Sequence, residues 1–198
     1  MSDPRIVLAS ASPRRHQLLD LIGIAHEVVP ADIDESVRPR ESPRRHAERL
    51  AREKATAVSS RDSSVVAIGA DTIVLIDRKI LGKPANAVDA GSMLSLLSGR
   101  EHTVVTAVAV AHGRKVCSGV EEVSVKFRAL SDDEIDAYIA TGEPMDKAGA
   151  YGIQGYGATI VERIEGDYFA VMGLPLVRLV SLLAEAGIRY RFGQLSAQ

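Results

Sequence analysis

Asp71 stands in the most apolar stretch of the chain, Val65 to Ile76, with Gly69-Ala70 before it and Thr72-Ile73-Val74 after it. An ionised carboxylate in such surroundings costs on the order of several kcal/mol unless it is paired or put to use. A strand end that faces a cleft accounts for it; a turn or bulge aspartate after Gly69, splitting the run in two, is the plainer alternative. Lys54 breaks its pattern in the same way. At about 100° per residue, from roughly 3.6 residues per turn, it projects among Ala47, Leu50, Ala51, Ala55 and Val58, on the stripe a helix would bury. Snorkelling is the commoner explanation of such a lysine; a reach across the packed face toward an anion is the functional one.

Ser10-Ala11-Ser12-Pro13-Arg14-Arg15 joins the carboxyl end of a strand to the amino end of a helix. Free N–H groups and the positive end of the helix dipole favour an anion there, and two hydroxyls with two guanidinium groups add donors suited to phosphate oxygens. A plain N-cap serine needs neither arginine. Gly142 to Gly157 holds five glycines in sixteen residues, which lets a backbone approach a ligand closely, and its Gln154 carries an amide that can read a base edge. A mobile connecting loop is the competing reading. Gly82-Lys83-Pro84 adds a lysine beside a rigid proline. Arg14, Arg15, Lys54 and Lys83, opposed by Asp71 and Glu35, form a cationic set with a few acids, the pattern of a polyphosphate site with a divalent metal. Mg²⁺ needs only one or two protein carboxylates, because phosphates and waters complete its octahedron. Histidines 16, 26, 46, 102 and 112 show no paired metal-ligand spacing and no Ser-His-Asp set is evident, so zinc chemistry and a serine triad are weak candidates.

The elements that must position these residues follow from local signals. Arg5 to Ala9 reads as a strand, and Leu18, Leu19 and Ile22 as a helix face ended by Gly23. Ala25 to Pro30 reads as a second strand and Ala31 to Arg40 as a loop. Ser42-Pro43 opens a helix to about Ser59, with Glu48 and Arg52 at i, i+4. Val65 to Ile76 is a strand turned by Asp77-Arg78 into Lys79 to Leu81, and Ala87 to Leu97 a helix. Two valine-rich strands, Thr103 to Ala111 and Val116 to Phe127, meet in a hairpin. Ser131-Asp132-Asp133-Glu134 is a capping box. Strands at Thr159 to Ile164 and Tyr168 to Met172 precede a last helix from Pro175 to about Ala186. The order predicts an α/β fold, a twisted mixed sheet flanked by helices, with two lobes and a deep cleft.

Composition sets the bounds. The chain has 198 residues, 46% apolar and 25% charged, enough for a core that needs no staples. One cysteine, Cys117, excludes a disulfide framework. A net charge of −2 gives no global field toward nucleic acid, which is not expected as a partner. No run approaches about 18 apolar residues and the N-terminus lacks a secretory pattern, so no membrane is expected and the cytoplasm is the predicted compartment.

These residues resemble the Maf family of nucleoside triphosphate pyrophosphatases. The resemblance rests on Leu8-Ala9-Ser10-Ala11-Ser12-Pro13-Arg14-Arg15, Leu50-Ala51-Arg52-Glu53-Lys54-Ala55, Gly69-Ala70-Asp71-Thr72, Gly82-Lys83-Pro84, Asp146-Lys147-Ala148-Gly149-Ala150-Tyr151-Gly152-Ile153-Gln154-Gly155 and Val171-Met172-Gly173-Leu174-Pro175, in the family's order. It implies one Maf-like domain over residues 1–198 with a peripheral tail at 188–198, and a fold similar to that of the inosine triphosphate pyrophosphatases. It further implies cleavage of a nucleotide to its monophosphate and pyrophosphate by water attack at the α-phosphorus. By the same resemblance Asp71 is the proton acceptor and a metal ligand, and Glu35 a second ligand for Mg²⁺ or Mn²⁺. Ser10, Arg14, Arg15, Lys54 and Lys83 hold the triphosphate, while Arg14, Thr72 and Gln154 set substrate choice. Asp71-Thr72 is similar to the branch acting on dTTP and UTP; a 7-methyl-GTP-type enzyme is the alternative within the class. Slowed cell division and a homodimer also come from the resemblance, the latter with some support from the long valine-rich strands.

A second class of function is a non-catalytic regulator of septum formation that holds nucleotide, or nucleic acid through Arg38 to Lys54. That segment carries seven basic residues against three acids. A solvated helix face is its ordinary reading, and the presence of Asp71 with Lys54 and Lys83 argues against a dead site.

Overall fold

A computed structural model describes residues 4–197. Its framework is a seven-stranded sheet of order β2-β1-β3-β5-β6-β7, with β4 paired to β3. The strands are β1 (Ile6–Leu8), β2 (Glu27–Val28), β3 (Val66–Ile76), β4 (Lys79–Leu81), β5 (Glu101–His112), β6 (Lys115–Phe127) and β7 (Val161–Glu165). Strand β1 runs parallel to both β2 and β3, whereas β4 and β7 pair antiparallel with β3 and β6. The sheet is therefore mixed, and helices α1 (Pro13–Leu21), α2 (Pro43–Ser59), α3 (Ala87–Leu97), α4 (Asp132–Ala140), α5 (Tyr168–Met172) and α6 (Leu176–Glu185) complete the α/β fold.

The chain divides into two compact units. The first takes in the described chain through Asp71, then Thr106–Glu121 and the chain from Gly173 onward; the second takes in Thr72–Val105 and Glu122–Met172. In the first, α2 buries Ala47, Leu50, Ala51, Lys54, Ala55 and Val58, the face its helical period predicts. Ser42 caps it by accepting the Arg45 N–H, with Pro43 in the first turn. The expected pairing of Glu48 with Arg52 runs through Ser118, whose hydroxyl accepts from Arg52 at 2.9 Å and donates to Glu48 at 2.8 Å. In the second unit, α3 and α4 send Ala90, Leu94, Leu97, Ile135 and Tyr138 into a core around Phe127. His102 and Tyr151 meet Phe127 edge-on there, at ring separations of 4.9 and 4.6 Å. The capping box at Ser131 and Glu134 forms as the sequence predicts. Asp77 and Arg78, both at positive φ, make the two-residue turn between β3 and β4.

Three segments depart from expectation. Tyr168–Met172 is a helix where β-prone side chains predict a strand, because the Asp167 carboxylate accepts the Phe169 N–H at 2.8 Å and caps a helical turn. Second, β7 begins at Val161, since Gly155–Thr159 coils into a 3₁₀ turn, and β2 is only two residues long. The tail forms an antiparallel hairpin of β8 (Ile188–Arg191) and β9 (Gln194–Ala197). Ile188 is wholly buried, and the Tyr190 hydroxyl donates to the Ile22 carbonyl at 2.8 Å. Among the described residues no helix is long and apolar enough to cross a membrane.

Candidate active site

Helix α2 comes so close to β3 that a Cβ on Gly69 would lie 2.2 Å from the Ala51 carbonyl oxygen and 2.6 Å from the Ala55 nitrogen. Only glycine admits that approach. Residues two apart on a strand share a face, so Asp71 faces the same helix as Gly69, and Lys54, between Ala51 and Ala55, reaches it. The Lys54 ammonium donates to Asp71 Oδ1 at 2.8 Å and lies 2.7 Å from Glu35 Oε1. Lys54 and Asp71 are only 8% and 7% exposed, so this charge pair is a buried one. Asp71 is neither at a strand end nor in a turn: β3 runs unbroken through it, and the lysine is what lets a carboxylate stay there.

The loop after β1 builds the second half of the cluster. Ser12 occupies the N-cap of α1 but makes no side-chain cap, and Pro13 follows it. The Ser10 hydroxyl instead accepts from the Ser12 N–H at 3.2 Å and from Arg15 Nη1 at 2.9 Å, while Arg15 Nε donates to the Gly173 carbonyl at 2.8 Å. Burial lowers the Arg15 guanidinium below its ordinary value; Asp71 opposes that shift, neighbouring Arg14 adds to it, and Glu35 opposes it more weakly. Arginine stays charged through such a shift, so Ser10, Arg14, Arg15, Glu35, Lys54 and Asp71 form one electrostatic neighbourhood. Of these only Glu35 is well exposed, its side chain at 59%.

The remaining predicted site residues belong to the second unit. Thr72 follows Asp71 on β3 and is half-buried, Lys83 is exposed ahead of buried Pro84, and Gln154 is exposed. The glycine-dense segment around Gln154 is built as three 3₁₀ turns, Glu143–Asp146, Ala148–Ala150 and Gly155–Thr159. Glu143 staples it: its carboxylate accepts the Tyr156 N–H at 2.8 Å, the Gly157 N–H at 3.0 Å and the Tyr138 hydroxyl at 2.8 Å. Although burial pushes the Glu143 carboxyl up, the Gly157 and Tyr156 donors and the Tyr138 hydroxyl outweigh it and hold the group below its usual value. Sequence reading missed Glu143 and the Gly173 carbonyl. The Gly173 signal was the Met172-Gly173-Leu174-Pro175 string; nothing local marks Glu143 among many surface acids.

The basic segment before Lys54 neutralises much of itself. Glu41 accepts from Arg49 at 2.6 Å, which with burial opposing and the Arg38 N–H and His46 assisting holds its carboxyl down at about 2. Arg49 and Arg38 both bond Glu53, at 3.1 and 2.8 Å. The histidines, unpaired by sequence spacing, include one pair that the fold creates: His16 and His26 meet at 2.7 Å.

Comparison with known proteins agrees with the motif order. Residues 5–186 match the family model described as Maf-like protein. The chain belongs to the Maf family. Among its relatives, a protein of Syntrophomonas wolfei named dTTP/UTP pyrophosphatase is 54% identical over 182 residues, 91% of this chain and 96% of the relative. Proteins of the same name from Aquifex aeolicus and Moorella thermoacetica are each 50% identical, over 93% of this chain and 96% of theirs. Among solved structures, the Staphylococcus aureus Ham1 protein aligns at 14% identity and a TM-score of 0.48 over 79% of each chain.

Proposed function

We propose that this Maf chain hydrolyses nucleoside triphosphates, dTTP and UTP foremost, to the monophosphate and pyrophosphate. The observation that carries the reading is the buried Lys54–Asp71 pair, with Glu35 on the same ammonium and the Arg14–Arg15 helix start beside it. The relatives' shared name, at 50 to 54% identity over nearly the whole chain, supports the substrate.

In this reading a water oxygen bonds to the α-phosphorus while the bridging bond to the β-phosphate oxygen breaks and pyrophosphate leaves. The water's proton passes to an Asp71 carboxylate oxygen. Lys54, Arg14, Arg15 and Lys83 neutralise the triphosphate with the Ser10 hydroxyl as a further donor, and a buried setting strengthens each such contact. Arg14, Thr72 and Gln154 select the base. Asp71 and Glu35, which both contact the Lys54 ammonium, are the hard carboxylate donors that would hold Mg²⁺ or Mn²⁺ together with substrate phosphates. When bound there, such an ion would neutralise phosphate charge. The chain acts as a single Maf-like domain, as a homodimer and in the cytoplasm; slowed division on overproduction would be a consequence of nucleotide depletion.

The test is pyrophosphate release across a nucleotide panel with Mg²⁺ or Mn²⁺. We expect dTTP and UTP ahead of 7-methyl-GTP, and a loss of about 10²- to 10⁴-fold in Asp71→Asn, the range of positioned acid–base groups. Full turnover by Asp71→Asn would remove the base, and preference for 7-methyl-GTP would overturn the substrate. A non-catalytic regulator that grips nucleic acid finds less support, because Glu41 and Glu53 already engage Arg38 and Arg49.

A further inference from the structure

His16 and Asp20 lie one turn apart on α1, and His26 reaches them from beyond the turn that follows the helix. The three side chains can each present one ligand atom, and those atoms all fall within 4.8 Å of one another. The arrangement is asymmetric in a useful way. The His26 side chain is only 1% exposed, while those of His16 and Asp20 are 49% and 56% exposed. Buried His26 is an anchor, and the two exposed groups can adjust around it.

The anchor's tautomer follows from its contacts. His26 Nδ1 lies 2.8 Å from the Ile24 carbonyl oxygen, which can only accept, so Nδ1 carries the proton and Nε2 presents its lone pair. That bare Nε2 is 2.7 Å from His16 Nδ1, and His16 Nε2 is 3.4 Å from Asp20 Oδ2. A neutral His16 has one proton for two electron-rich neighbours. If it donates to His26, a lone pair faces the carboxylate; if it donates to Asp20, two lone pairs face each other. With either tautomer, lone pairs of the three side chains converge on one place, an arrangement that suits a bound cation.

We infer that His16, Asp20 and His26 form a binding site for a borderline divalent transition-metal ion of the Zn²⁺, Co²⁺ or Ni²⁺ class, with water in the remaining position. Two imidazoles and one carboxylate select such ions over Mg²⁺. The bond from His26 Nδ1 to a backbone carbonyl is the outer contact that orients a ligating histidine and raises its basicity. Tetrahedral ligation at about 2.0–2.1 Å separates two nitrogens by about 3.3 Å, so the 2.7 Å pair must open by several tenths of an ångström, a shift that exposed His16 can make. The turn is held in place without metal. Ile24 N–H donates to the Leu19 carbonyl at 3.0 Å, Gly23 N–H to Asp20 at 2.9 Å, and the Tyr190 hydroxyl to Ile22 at 2.8 Å. None of the three ligands belongs to the Lys54–Asp71–Glu35 cluster, so this ion is additional to one that accompanies a nucleotide. It ties the turn after α1 back to the helix that carries Arg14 and Arg15.

The test uses the full chain stripped by chelator and kept in excess Mg²⁺, which occupies hard-oxygen sites. Zn²⁺ is titrated calorimetrically and Co²⁺ by its visible ligand-field absorption. We expect one equivalent bound, an affinity about 100-fold lower in His16→Ala, and unchanged binding in Asp71→Asn. Because His16 is exposed, its replacement leaves the fold intact; His26→Gln, checked by circular dichroism, is the second variant and should abolish binding. Absence of binding in the wild type, wild-type affinity in His16→Ala, or binding lost in Asp71→Asn would each overturn the assignment.

Discussion

Replacing Gly69 with alanine tests the packing that brings Lys54 to Asp71. The added methyl would sit 2.2 Å from the Ala51 carbonyl oxygen, and ordinary contact begins near 3.4 Å, so α2 must retreat by about 1.2 Å. Both nearest atoms, this oxygen and the Ala55 nitrogen, are main chain, so no side chain can swing aside. Overpacking of this kind costs about 1–3 kcal/mol or more, and backbone clashes place it at the upper end. At about 2–4 °C per kcal/mol for a chain of this size, the melting temperature should fall by about 6–12 °C. Retreat also carries Lys54 with it, lengthening its 2.8 Å bond to Asp71 toward about 4 Å, and displacements of about 1 Å at a reacting centre cost about 10²-fold. Thermal melts read the first effect and pyrophosphate release from dTTP the second. Ala55→Gly in the same chain should not rescue either, because the clash is with the helix backbone. A Gly69→Ala protein that melts within about 1 °C of wild type and keeps full turnover would refute the reasoning.

Three further outcomes follow from other contacts. Lys54→Met leaves the Asp71 carboxylate buried without its partner, so stability should drop by about 3 kcal/mol in urea titration and turnover of dTTP should collapse. His102 is buried with Nδ1 unpartnered and Nε2 2.7 Å from the Tyr151 hydroxyl; burial pulls it from 6.5 to about 4 against a small opposing pull from Glu101. The unfolded ring binds its proton first, so stability is full above pH 6.5 and is lost as pH falls toward 4, by roughly 3 kcal/mol at most; His102→Gln should flatten the wild-type decline in urea midpoint between pH 6.5 and 4.5. Glu143→Gln weakens the acceptor for the Tyr156 and Gly157 N–H groups, and should raise KM for dTTP about tenfold with kcat held, as loss of uniform binding does.

Local chemistry made much of the fold legible. Helix α2 announces itself by its Ser42-Pro43 start and buried stripe, the β3–β4 turn by Asp77-Arg78, and α4 by its capping box. Each signal is contained within a few residues. Tyr168–Met172 was misread because its helix depends on the Asp167 cap, which outweighs the β-preference of the residues after it. The pattern-breaking charges Lys54 and Asp71 were visible as anomalies, yet their partnership needed the helix–strand approach at Gly69, a contact between distant segments. The roles of the Gly173 carbonyl, Glu143 and the His16–His26 pair were out of reach for the same reason, although a motif string marks Gly173 itself: what matters about each is the group that folding brings beside it.

That difference also explains how the first-unit cluster reads as a receptor for an anion. Lys54 is balanced by two carboxylates and adds no net positive charge to them. Arg15 is different: burial disfavours its charge and Arg14 adds to that, while Asp71, whose pull exceeds the push of Arg14, and Glu35 oppose the shift. Arg15 is nevertheless fixed by Ser10 and the Gly173 carbonyl, neutral acceptors that orient it without cancelling its charge. With Arg14, Arg15 and Lys54 set against Asp71 and Glu35, the cluster carries one excess positive charge at a helix start, which favours a polyanion such as a triphosphate.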